Sequence, residues 1–160
     1  FKIYQPPVFY AVYFTVRGED IDYEAAIGGV RVAQDHIREV NQRLREEKNA
    51  KDEDTLVSLQ IVNEMLQRGY RFLPIELGKS RASKYVVEDG KVRLPFTALK
   101  GVGETAAIAL EKATIDGQEY ISIEELQQAS GVSSAIMEKL RDAGALGSLP
   151  DTSQVSFFNM

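Results

Sequence analysis

Apolar residues recur at helical spacing over two long stretches of this chain. Val30, Ala33, Ile37, Val40 and Leu44 alternate steps of three and four, laying one apolar stripe opposite a strongly charged face. On that face Glu39 and Arg43 stand four residues apart, the spacing of a helix-surface ion pair. The polar stretch 46–54 offers nothing to pack and predicts an exposed turn. Leu56, Leu59, Val62 and Leu66 then restart the period, supported by Val57, Ile61 and Met65, and Gly69 falls where a left-handed cap belongs. The pair predicts an antiparallel helical hairpin. Upstream, residues 8–14 are almost unbroken in apolar character behind Pro6 and Pro7, which suit a first helical turn, and predict a short buried helix ending before Gly18. From Tyr70 the period changes. Residues 71–74, 84–88 and 91–94 read as short strands, the last two joined at Asp89-Gly90. Helices return at 104–113, 123–129 and 134–143, separated by Gly117, Gly131 and Gly144 and closed by Leu149-Pro150. The predicted fold class is mainly α with a small β element.

Length and composition narrow the chemistry. The chain has 160 residues, 44% hydrophobic and 27% charged, room for one compact domain or two small ones. No apolar run approaches the ~18 residues of a membrane-spanning helix. Cysteine is absent and His36 is the one histidine, which removes disulfides, thiolate metal sites and Ser-His-Asp catalysis. His36 itself, beside the apolar stripe without a second ligand, reads as a surface histidine. A net charge of -5 argues against a general basic coat, so any nucleic-acid contact must be local. Phe1 stands where an initiator methionine would, and reads as a cut rather than a start.

One local stretch has the required character. Residues 96–110 run as a short helix, the turn Gly101-Val102-Gly103, and a longer alanine-rich helix, which is the helix-hairpin-helix pattern. The glycines permit positive φ and close backbone approach, while Val102 plugs the gap between the helices. Amides of the turn and of Glu104 and Thr105 then face outward at the positive end of a helix dipole, suited to a phosphate oxygen and indifferent to base identity. Lys79, Arg81, Lys84, Lys91, Arg93 and Lys100 meet only Glu88 and Asp89 between them, making this stretch basic inside an acidic chain. The predicted DNA contacts are Lys91, Arg93, Lys100, Gly101, Val102, Gly103, Glu104 and Thr105. A weaker copy begins at Gly131-Val132-Ser133, where serine replaces the second glycine and scaffold is as good a reading as contact.

Beyond Pro150, the order Gln154-Val155-Ser156-Phe157-Phe158 sets a polar amide before two apolar anchors, the arrangement of an extended peptide that docks side chains in pockets. It resembles the bacterial sliding-clamp-binding pentapeptide, usually Gln-Leu-Ser/Asp-Leu-Phe. Val155 and Phe157 stand where leucine is usual, and Asn159-Met160 extend past the phenylalanine that commonly ends it.

Taken together, Ile3 through Ala11, the segment Arg68-Gly69-Tyr70-Arg71-Phe72-Leu73-Pro74, the glycine hairpin and the tail resemble the C-terminal part of a bacterial replicative DNA polymerase III α subunit of the PolC type of Gram-positive bacteria. The resemblance implies three parts: residues 1–69 at the helical end of the fingers, 70–150 as a duplex-binding domain, and 151–160 as a clamp-binding tail. It implies a cytoplasmic parent enzyme, a Mg2+-dependent nucleotidyltransferase for DNA replication, whose catalytic carboxylates lie elsewhere. This chain then carries no catalytic residue, metal ligand or cofactor of its own. Its implied partners are duplex DNA, a sliding clamp and the remaining polymerase chain, with no membrane. A tandem helix-hairpin-helix repair or recombination protein, and a noncatalytic adaptor between DNA and a clamp, are the alternatives.

Overall fold

The computed structural model describes residues 6–17, 21–147 and 149–150. The fold is mainly α with a three-stranded sheet, and the chain divides into two compact units that interleave in sequence. One gathers the described residues up to Leu73 together with Tyr85–Arg93. The other gathers Pro74–Lys84 and the described residues from Leu94 onward. No helix among the described residues is long and apolar enough to cross a membrane.

The first unit opens with α1 (Pro6–Arg17), whose prolines occupy the turn where missing amides matter least. It buries Tyr10, Ala11 and Phe14 but leaves Phe9, Val12 and Val16 exposed at 60%, 59% and 71%. The expectation of a buried helix is thus corrected to a helix buried on one face. A continuous apolar run wraps a helix all round, and only the side toward the core is covered. Next comes α2 (Tyr23–Gly28), which the apolar pattern did not announce; its cap is Asp22, whose carboxylate accepts the Ala25 amide at 3.0 Å.

The expected helix pair follows as α3 (Val30–Glu46) and α4 (Ala50–Gln67), packed against each other. The predicted exposed turn is shorter than 46–54. Asn49 accepts the Lys51 amide at 2.8 Å and starts α4 early, with Asp52 and Glu53 complementing the dipole in its first turn. Arg43 reaches across the turn to Asp52 at 3.4 Å, not along its own helix to Glu39. At the far end Gly69, at φ 93°, is the left-handed cap that the sequence predicts, donating to Leu66 O while Tyr70 donates to Met65 O.

Strands β1 (Phe72–Leu73), β2 (Val86–Glu88) and β3 (Lys91–Arg93) form one sheet in the order β1-β3-β2. The β2–β3 pair is antiparallel about Asp89-Gly90, both at positive φ, and β1 lies parallel to β3. Phe14 packs its ring against Phe72 and Tyr85 at 5.5 and 5.6 Å, joining α1 to the sheet.

In the second unit Pro74–Lys84 is laced to the chain that enters the hairpin. Ser80 is fully buried, accepting the Glu76 amide and donating to Leu94 O at 2.8 Å, while Phe96 and Thr97 donate to Arg81 O and Ala82 O. A 3₁₀ turn (Phe96–Ala98) then precedes α5 (Glu104–Thr114), α6 (Ile123–Ser130) and α7 (Ser134–Asp142), each within a residue or two of its predicted bounds. Phe96, Leu110, Leu126 and Leu140 are fully buried and form the centre of this unit's core. Together these elements hold the Gly101 turn against a packed base.

Candidate nucleic-acid interface

The hairpin begins where the 3₁₀ turn runs out. Leu99 donates back to Phe96 O at 3.2 Å, and Val102 donates to Leu99 O at 3.1 Å, closing the chain on itself around Lys100 and Gly101. Gly101 sits at φ 96°, which L side chains rarely adopt. Val102 is 5% exposed, the plug its position predicts, while Lys100, Gly101, Gly103, Glu104 and Thr105 are all exposed. Gly103 has φ -76° and ψ 171°, a conformation open to any residue, and a Cβ placed on it would meet nothing within 4 Å. Glycine at 103 therefore answers no demand of the fold, and its bare backbone keeps the start of α5 accessible.

That start is also chemically open. Asp22, Asn49, Ser122 and Ser133 each cap a helix with a side-chain oxygen, but Gly103 gives α5 no such bond. The first amides of α5 thus point outward with the positive end of the helix dipole and without a side-chain acceptor. Glu104, the first residue of α5, adds a carboxylate there that would oppose a phosphate.

The second copy reproduces the backbone. Gly131 lies at φ 74°, Val132 is 7% exposed, and Ser133 has φ -73° and ψ 160°. Its chemistry differs, because the Ser133 hydroxyl accepts the Ile136 amide at 3.3 Å and occupies the place an outside acceptor would take.

The other predicted contacts divide. Lys91 is exposed on β3, opposite Glu88 in the register. Arg93 is 4% exposed and its guanidinium grips Glu88 through two bonds of 2.7 Å, so its charge is spent inside the sheet. Both belong to the first unit, whereas Lys100 to Thr105 belong to the second. Lys79, Arg81 and Lys84 are exposed in the second unit, Lys79 standing 3.4 Å from Glu76. The clamp-type residues Gln154, Val155, Ser156, Phe157 and Phe158 lie outside the described residues.

One cation was not legible from the local pattern. Lys139, on α7, brings its side chain to Gly101: a Cβ there would lie 2.6 Å from Cε and 3.2 Å from Nζ of the lysine. Its only sequence signal is a basic residue in a last helical turn, which by itself reads as dipole compensation. His36, read as a surface histidine, instead holds Asp22 through Nδ1 at 2.5 Å, and this bond raises its pKa.

Comparison with known proteins bears on this geometry. Residues 69–155 match a family model described as helix-hairpin-helix motif. Over 160 residues the chain is 38% identical to the DNA polymerase III PolC-type of Staphylococcus saprophyticus, covering 100% of this chain and 11% of that protein. The DNA polymerase III PolC-type of Streptococcus agalactiae is 33% identical over 160 residues, and that of Halalkalibacterium halodurans 37% over 158, each covering 99% of this chain and 11% of its own length. The chain thus spans about a tenth of the relatives it matches. With a matched model across more than half its length and the glycine hairpin in place, the chain belongs to the helix-hairpin-helix family, and over its whole length it matches a segment of PolC-type DNA polymerases.

Proposed function

We propose that this chain is the duplex-gripping C-terminal part of a replicative DNA polymerase, holding product DNA by its phosphates and tethering the enzyme to a sliding clamp through Gln154 to Phe158. The observation that carries the first half is the Gly101-Val102-Gly103 turn, with its bare Gly103 and the side-chain-uncapped start of α5. Amides presented this way hold a phosphate oxygen and ignore the base, as an enzyme moving along any sequence requires. Similarity along the whole of this chain to a segment of PolC-type polymerases supports the polymerase setting over a repair protein or an adaptor. In that setting the parent enzyme adds deoxynucleotides by two-metal phosphoryl transfer in the cytoplasm, with Mg2+ as the metal. The described residues contain no group of three or more His, Cys, Asp or Glu able to hold a metal, so they do not fit that pair.

Replacing Gly103 with valine tests the grip. The backbone conformation suits any residue and a Cβ meets nothing within 4 Å, so the fold should persist while bulk blocks approach to the amides. Duplex affinity should fall by about tenfold, equally on unrelated sequences, as expected for losing hydrogen bonds to a charged group. Salt titrations on two unrelated duplexes measure it, and undiminished binding by a folded variant would sink the reading.

A further inference from the structure

Gly101 has two neighbours of interest: the open side where Gly103 faces nothing, and the side chain of Lys139. We propose that Lys139 is a phosphate-binding residue of the first hairpin, delivered to it by the second. The proposal rests on the reading that this hairpin holds duplex DNA. A Cβ at Gly101 would fall 2.6 Å from Lys139 Cε and 3.0 Å from Cδ, so the lysine stem lies across the spot that any residue other than glycine would fill. Its Nζ is 3.2 Å from the same point, at the turn whose following amides face outward.

Charge explains what the lysine adds. The amides at a helix start amount to about half an elementary charge, enough to orient an anion and too little to neutralise it. Glu104 works against them at the first position of α5. An ammonium at the turn supplies the full positive charge that a phosphodiester requires, and Lys100 stands exposed beside it. Lys139 is available for this role: it is exposed, and among the described residues it makes no ion pair, not even with Asp142 three positions on.

The arrangement also gives the second hairpin a task. Ser133 caps α7 with its own hydroxyl, so this turn spends its amide internally and fixes the helix that carries Lys139. Leu140 and Met137, both buried, seat α7 in the unit's core and set the exit direction of the lysine between them. One turn offers amides and the other places a cation over it.

The test compares the full chain with Lys139→Gln, Lys139→Arg and Gly103→Val, measuring anisotropy of a labelled duplex of arbitrary sequence across a salt series, with thermal melts alongside. Lys139→Gln should weaken binding roughly five- to tenfold at low salt and reduce the slope of log affinity against log salt by about 0.9, the signature of one lost phosphate contact. Lys139→Arg should restore both, and the melts of the two should coincide. An unchanged slope for Lys139→Gln beside a clear loss for Gly103→Val would overturn the role of Lys139 and leave the hairpin reading intact. A Lys139→Gln melt that falls with its affinity, with no rescue of binding in a folded Lys139→Arg, would assign the lysine to α7 stability instead. Absence of duplex binding by the unaltered chain would overturn both readings.

Discussion

Asp22 serves two groups at once. One carboxylate oxygen caps α2 at the Ala25 amide, and the other meets His36 Nδ1 at 2.5 Å. The bond to Asp22 raises the pKa of the imidazole, opposed by its partial burial and helped by the charges of Asp22, Glu39 and Glu24. A pKa raised on folding means that the native state holds the proton more tightly. The stabilisation is complete below the unfolded value near 6.5 and is lost as pH rises through the folded value. With both side chains only about a fifth exposed, the bond should contribute on the order of 1 kcal/mol while His36 is charged. Thermal melts of the chain and of His36→Gln should therefore differ most at pH 6 and converge toward pH 9. A gap that is constant across this range would show that the imidazole acts by packing alone. Arg93 teaches the complementary lesson about charge. In the sequence it adds to a basic run, but in the fold it is buried against Glu88, and two bonds to one carboxylate leave it a structural cation.

At the scale of elements the two turns share a backbone and differ at their third residue, Gly103 against Ser133. Gly103 and Ser133 hold nearly the same backbone, φ -76° and ψ 171° against φ -73° and ψ 160°, and only the serine has a hydroxyl to cap the following helix. Gly103→Ser should therefore cap α5 as Ser133 caps α7. Stability should rise by a few tenths of a kcal/mol, the usual advantage of serine over glycine at that position, while duplex affinity falls because the amide is now taken. Melts and salt titrations on one variant check both signs, and a gain in stability with unchanged affinity would show that these amides are not the contact. The helices around this turn were legible because their apolar spacing and glycine stops are local signals: α5, α6 and α7 begin where the sequence places them. The α3–α4 turn is shorter than the polar stretch suggests because Asn49 and the acidic first turn of α4 carry no apolar period. The helix α2 is too short to show an apolar period and starts at the local cap Asp22, while the one-sided burial of α1 and the approach of Lys139 to Gly101 depend on partners distant in sequence, which periodicity does not encode.

For the whole molecule, the proposed grip and the proposed tether would solve different problems. Phosphate contacts spread over a hairpin hold whichever duplex is present, but they weaken steeply with salt and give no memory of a primer once it is released. A peptide fixed to a clamp that encircles DNA turns each return into an intramolecular event, so even micromolar docking yields long synthesis runs. Gln154 to Phe158 has the composition for such docking: an amide to set register, then two aromatic side chains to be desolvated in pockets. A peptide spanning 151–160 should bind a bacterial sliding clamp with a dissociation constant on the order of micromolar, because ordering an extended segment offsets much of what a few buried side chains contribute. In the intact polymerase, replacing Phe157 and Phe158 together with alanine should abolish clamp binding and shorten each run, while single-nucleotide addition on short primers stays nearly unchanged. Clamp pull-down, run length on a primed circle and single-turnover addition measure the three separately. Equal loss of run length and single addition would make the two phenylalanines part of a folded core, and retained clamp binding would assign the tether to another segment.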